Sequence, residues 1–130
     1  MTLAPEIRAF LEAGAAAGLP QVWEVVNRFI PGPTADLPIR IYRPTTATNA
    51  PAIIYLHGGG WVLNFLDIYD ASLSRLANQT GATIISVHYQ KAPEHPFPIP
   101  FDDCYATLLW AIENADALQL DKNRIGVAGD

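Results

Sequence analysis

The 130-residue sequence holds a single cysteine, Cys104. One thiol closes no intramolecular disulfide and furnishes no cysteine-rich zinc site. Basic side chains are also scarce, with eight Lys and Arg against thirteen Asp and Glu and a net charge of −5. That balance argues against a nucleic-acid or anionic-membrane surface, which needs a basic patch. The apolar runs fall short of the ~18–20 residues that cross a bilayer. The opening Met1-Thr2-Leu3-Ala4-Pro5-Glu6 has no basic segment leading into an apolar one, so no secretory signal is expected. The expectation is a cytoplasmic protein with neither a membrane span nor a nucleic-acid partner. What is present is a half-apolar composition with only 16% charged residues, sufficient for the core of one modest domain.

Apolar spacing predicts a helical arm over residues 4–17, carrying Ile7, Phe10 and Leu11. Val25–Ile30 and Leu37–Tyr42 are short, β-branched and aromatic, and flank the turn-forming Pro31-Gly32-Pro33; they predict two outer strands joined as a hairpin. Ala52–Leu56 and Ala82–Val87 are apolar runs of the kind buried on both faces of a sheet. Between them, residues 67–80 predict a helix stopped by Gly81. The four prolines of Ala92–Pro100 require a loop, residues 100–117 show helical spacing through Phe101, Cys104, Tyr105, Leu108 and Ile112, and Arg124–Ala128 is a last short strand. Strands alternating with helices imply parallel βαβ units, with the last three strands forming the interior of a doubly wound sheet. The expected division is a helical arm plus first strand over residues 1–35, and an α/β core over 36–130.

Chemistry concentrates in His57-Gly58-Gly59-Gly60, directly after a buried strand. Successive glycines leave backbone N–H groups open to an anion or a developing oxyanion. A phosphate-binding P-loop would need Gly-Lys-Ser/Thr, and this loop has no lysine. A dinucleotide fingerprint would need a glycine where Leu63 stands. The pattern that fits is the HGGG loop supplying oxyanion donors in lipases and esterases.

Three blocks carry a wider resemblance. Tyr55-Leu56-His57-Gly58-Gly59-Gly60-Trp61-Val62-Leu63 resembles the oxyanion segment of the hormone-sensitive-lipase-like family, the bacterial carboxylesterase or fold-3 branch of the α/β-hydrolases. A family block reading D-Y-R-L-A-P-E-H-P-F-P is matched by His88-Tyr89-Gln90-Lys91-Ala92-Pro93-Glu94-His95-Pro96-Phe97-Pro98, and Arg124–Asp130 matches the strand leading into its G-D-S-A-G nucleophile elbow. The resemblance implies the N-terminal part of an α/β-hydrolase fold, a mostly parallel doubly wound sheet with a helical N-terminal cap segment. The implied activity is hydrolysis of short-to-medium acyl esters by a serine nucleophile, without metal or organic cofactor. Gly59 and Gly60 would donate to the oxyanion with Gly58 allowing the turn, while His57 and Glu94 support the loops. Gly129 and Asp130 would open the elbow, which places the serine immediately after Asp130 and the acid and base later. The 130 residues alone are then expected to lack the triad and to be inactive. The alternative is a non-catalytic truncated product, or a fragment that binds a complementary C-terminal piece; self-association is left open.

Other residues admit blander readings. Trp61, Val62, Leu63 and Phe65, with Phe10, Leu11 and Trp23, either line an acyl pocket or pack the core. His88, Glu94 and His95 lack metal-ligand spacing and are expected to be structural. Asp102 and Asp103, adjacent on a helix, cannot face each other as an acid–base pair and are expected to cap the helix and be solvated. Cys104 falls on the apolar face as core. Against the family block, His88 and Gln90 replace an acid and an arginine, as if a buried ion pair had gone as a unit. Asn64 replaces a glycine, a substitution compatible with a left-handed backbone.

Overall fold

A computed structural model describes residue 18 and residues 20–130. The predicted helical arm, with Phe10 and Leu11, lies outside the described residues. Five strands form one sheet: β1 (Glu24–Ile30), β2 (Leu37–Arg43), β3 (Ala50–Leu56), β4 (Thr83–Val87) and β5 (Leu120–Gly129). Among the described residues two helices accompany them, α1 (Asp70–Thr80), preceded by a 3₁₀ turn over Leu66–Tyr69, and α2 (Ile99–Glu113). The strand order is β1-β2-β4-β3-β5. β1 and β2 form the expected antiparallel hairpin, and β2 meets β4 antiparallel. β3 pairs in parallel with β4 on one side and β5 on the other. The described sheet is therefore mixed, and its parallel part is β4-β3-β5.

Side chains alternate across this sheet. Ile84 of β4 packs with Tyr42, Leu73 and Ala77 beneath α1, while Ile85 and Val87 join Ile39, Ile41 and Ile54 beneath α2. Every residue of β4 is buried, which explains its unbroken apolar run. Thr80 closes α1 onto Gly81, whose left-handed φ of 70° suits the residue after a helix.

Three expectations change. β5 begins at Leu120 rather than Arg124, because Leu120 pairs with Ala50 before a register shift leads into the Ile125–Gly129 ladder. Among the described residues no strand lies on its outer side, and Val127 is 56% exposed. α2 ends at Glu113 because Asn114 turns back on the Trp110 carbonyl, and a string of turns follows.

Asp103 is the third correction. It is fully buried, and no side chain caps α2. Its carboxylate accepts the Gln90 backbone N–H at 2.8 Å and lies 3.5 Å from the Gln90 side-chain amide, which also donates to Thr34 at 2.7 Å. His88 and Gln90 still stand where the family block has an acid and an arginine, and the buried Asp103 carboxylate lies beside Gln90. Replacing Asp103 by alanine leaves a half-buried N–H without its acceptor and is expected to destabilise the fold by about 1–3 kcal/mol. Urea denaturation with an unchanged m-value is the measurement that checks it.

Candidate active site

The loop after β3 and the end of β5 meet because Leu56 and Gly129 are register partners on adjacent parallel strands. The connection after β3 runs to β4 on one side, whereas β5 lies on the other. Doubly wound sheets place ligands outside the carboxyl ends of strands at such a reversal. Here that place is a cavity of about 370 Å³, floored by Leu56–Gly60 and closed by Trp61, Tyr89, Gly129 and Asp130.

Its geometry is set by hydrogen bonds to one carboxylate. Asp130 Oδ1 accepts the Gly58 N–H at 2.8 Å and the Tyr55 hydroxyl at 3.1 Å; Oδ2 accepts the Tyr69 hydroxyl at 3.1 Å. Burial alone would raise the Asp130 carboxyl, but the Gly58 N–H and the Tyr69 and Tyr55 hydroxyls outweigh it and hold it below the ordinary aspartate value. A Cβ at Gly58 would stand 2.8 Å from the Asp130 carbonyl oxygen, so the approach of the two segments demands glycine there. Gly59, at φ 124° and facing the Leu63 carbonyl, requires it as well.

The carbonyls of Gly58 and Gly59 are occupied. Gly58 O accepts from Asn64 Nδ2 and His57 Nδ1, both at 2.8 Å, and Gly59 O accepts from the N–H groups of Val62 and Leu63. Among the described residues no acceptor meets the N–H of Gly59 or Gly60. Asn64 holds the left-handed conformation at φ 77°, and so does Trp61 at φ 65°. Trp61 O in turn accepts the Ala92 N–H at 2.9 Å and ties the glycine loop to the proline-rich segment.

His57 is buried and stacks on Tyr89 with ring centroids 4.3 Å apart. The Tyr89 hydroxyl donates to the His57 carbonyl at 2.5 Å. Because Gly58 O can only accept, the His57 proton sits on Nδ1, leaving Nε2 as a buried lone pair without a partner. Burial depresses the His57 imidazolium, and the Lys91 charge adds to that.

The remaining residues singled out from sequence disperse. Glu94 is exposed and makes no side-chain hydrogen bond among the described residues; its loop is tied instead by backbone bonds from His95 to Lys91 and from Ile99 to Pro96. Trp61, Val62, Leu63, Phe65 and Trp23 are all about half exposed or more, so none of them is core. Only Trp61 borders the cavity; Phe65 lines a separate shallow groove beside Arg40. Cys104 is buried, and its thiol is pushed up to about 12 by burial. His88 faces Lys91 at 3.5 Å, and the described residues contain no group of three potential metal ligands. Tyr55 and Tyr69 escaped the sequence reading. Tyr55 precedes the histidine inside the motif, whereas nothing local marks Tyr69.

Comparison with known proteins decides the lineage: the family model described as alpha/beta hydrolase fold matches residues 53–130. The chain belongs to the α/β-hydrolase fold-3 family. Carboxylesterase NlhH of Mycobacterium tuberculosis is 46% identical over 96 residues, covering 73% of this chain and 30% of that protein. An arylesterase of Saccharolobus solfataricus is 34% identical across 99% of this chain and 50% of its own. Among solved structures, a Pyrobaculum calidifontis esterase superposes with a TM-score of 0.84 at 34% identity, covering 99% of this chain and 48% of that one. The thermostable carboxylesterase EstE1, from a metagenomic library, gives 0.86 at 35% identity, covering 98% and 45%. The chain thus spans half or less of these relatives. Among the described residues of this α/β-hydrolase, no helix is long and apolar enough to cross a membrane.

Burial lowers both His57 and His88, so the unfolded chain binds more protons as pH falls below its ordinary imidazole value of about 6.5. Their contribution to stability is complete above that pH and is lost as pH drops through the lower folded values. Asp130 adds a further loss below the ordinary aspartate value of about 3.9. The urea midpoint is expected to be level near pH 8 and to fall from about pH 6.5 downward, less steeply in His88→Gln. A midpoint independent of pH over that range would contradict the reading.

Proposed function

We propose that this chain carries the oxyanion half of a serine carboxylesterase of the hormone-sensitive-lipase-like branch, acting on short-to-medium acyl esters. The observation that carries the reading is the glycine loop, whose Gly58 and Gly59 carbonyls are engaged and whose Gly59 and Gly60 N–H groups stand beside the end of β5. Two such donors suit the oxyanion formed when a nucleophile attacks an ester carbonyl, and removing one typically costs about 10²–10³ in rate. Gly58 has a different task, because its N–H is spent on Asp130. The nucleophile belongs to the position after Asp130, and the acid and base follow in the order Ser, Asp or Glu, His. The 130 residues supply none of the three and are inactive by themselves.

A complementing partner has a surface to occupy. The outer side of β5 has no strand among the described residues, and apolar Val127, Phe101 and Tyr105 beside it are each more than half exposed. A C-terminal piece of the same fold would cover them.

The test compares the 130-residue chain with a chimera continuing it through the remaining segment of a related esterase. With p-nitrophenyl butyrate, the chain alone should show no turnover above buffer. The folded chimera should turn over and be silenced by a serine-directed phosphonate. Phosphonate-sensitive turnover by the chain alone would refute its inactivity, and a folded but inert chimera would refute the esterase reading.

A further inference from the structure

We infer that Tyr69 and Asn64 are positioning residues of the glycine loop, acting with the Asp130 carboxylate to present Gly59 and Gly60 as the loop's anion-facing N–H groups. The inference deepens the esterase reading and rests on it for the use to which the loop is put. Its geometry stands on four hydrogen bonds that close a ring. Asn64 Nδ2 donates to Gly58 O at 2.8 Å and to the Tyr69 hydroxyl at 3.2 Å. The Tyr69 hydroxyl donates to Asp130 Oδ2 at 3.1 Å, and Asp130 Oδ1 receives the Gly58 N–H at 2.8 Å. Both polar groups of the Gly58 backbone are thereby held by side chains, and the Asn64 amide also lies against Gly59.

This ring fixes the peptide planes on either side of Gly58. With its carbonyl pulled toward Asn64 and its N–H toward Asp130, the chain enters Gly59 at φ 124° and Gly60 at φ 62°, and among the described residues their N–H groups stay unbonded. Preorganised donors are effective because no reorientation is needed when charge develops. Asn64 serves twice, since its own φ of 77° makes the turn that returns its amide to Gly58. Tyr69 ends the 3₁₀ turn at Leu66–Tyr69, so the start of α1 is the rigid post that supports the ring. Burial and its carboxylate neighbour raise the Tyr69 phenol, which stays protonated and able to donate at neutral pH. Tyr55 adds a hydroxyl to Asp130 Oδ1 and packs its ring near Tyr69, outside the four bonds of the ring.

The test uses the ¹⁵N-labelled 130-residue chain and follows the amide signals of its glycines. Tyr69→Phe removes one hydroxyl, and Asn64→Gly removes the amide while keeping the left-handed backbone. Each is expected to shift and broaden the Gly59 and Gly60 signals and to raise Gly58 amide exchange about tenfold, in keeping with one lost hydrogen bond. The Gly81 and Gly126 signals should remain in place. Unmoved Gly59 and Gly60 signals in both Tyr69→Phe and Asn64→Gly would overturn the assignment, as would equal shifts throughout the molecule, which mark a general structural role. Because these readouts need no turnover, an inert chimera would sink the esterase reading while leaving the ring intact.

Discussion

One hydrogen bond, from the Gly58 N–H to the Asp130 carboxylate, joins the two segments from which the site is built. Seventy-two residues separate its ends in sequence, and the sheet brings them together by pairing Leu56 with Gly129. The approach is close enough that a methyl group at Gly58 has no room. Everything else in the cavity depends on this junction: the turn of the glycines, the exposure of two N–H groups and the seat of Trp61 against the proline-rich loop.

The order of strands explains why the junction falls where it does. β3 has parallel neighbours on both sides, and the helices that follow β3 and β4 lie on opposite faces of the sheet. A crevice then opens beyond its carboxyl end, and the short loop leaving β3 has to line it. Glycine in that loop answers a demand for space and for left-handed backbone together. Chemistry follows from topology here: the donors are backbone groups, so their aim is set by how the loop is held and not by a choice of side chain.

Much of this was legible in the residues. The apolar runs of β3 and β4, the stop at Gly81 and the glycines after a buried strand each report a local constraint, and local constraints leave local marks. Asn64 could be read as a glycine substitute because left-handed tolerance belongs to the residue itself. Asp103 could not be read, since its acceptor role depends on Gln90 being folded against it, and a helix N-terminus offers an acidic residue a plausible place in solvent. Tyr69 was hidden for the same reason: its partner Asp130 lies sixty-one residues away. The extent of β5 was missed because polar Asp121, Lys122, Asn123 and Arg124 suggest a turn, yet at an outer strand such residues can face water.

That outer strand has a consequence of its own. An extended backbone with one row of peptide groups facing solvent offers the same ladder to any passing extended chain, whatever its sequence. Nearby exposed rings of Phe101 and Tyr105 reward whichever visitor stays. Within the described residues, this margin is the place where a further extended segment would add to the sheet.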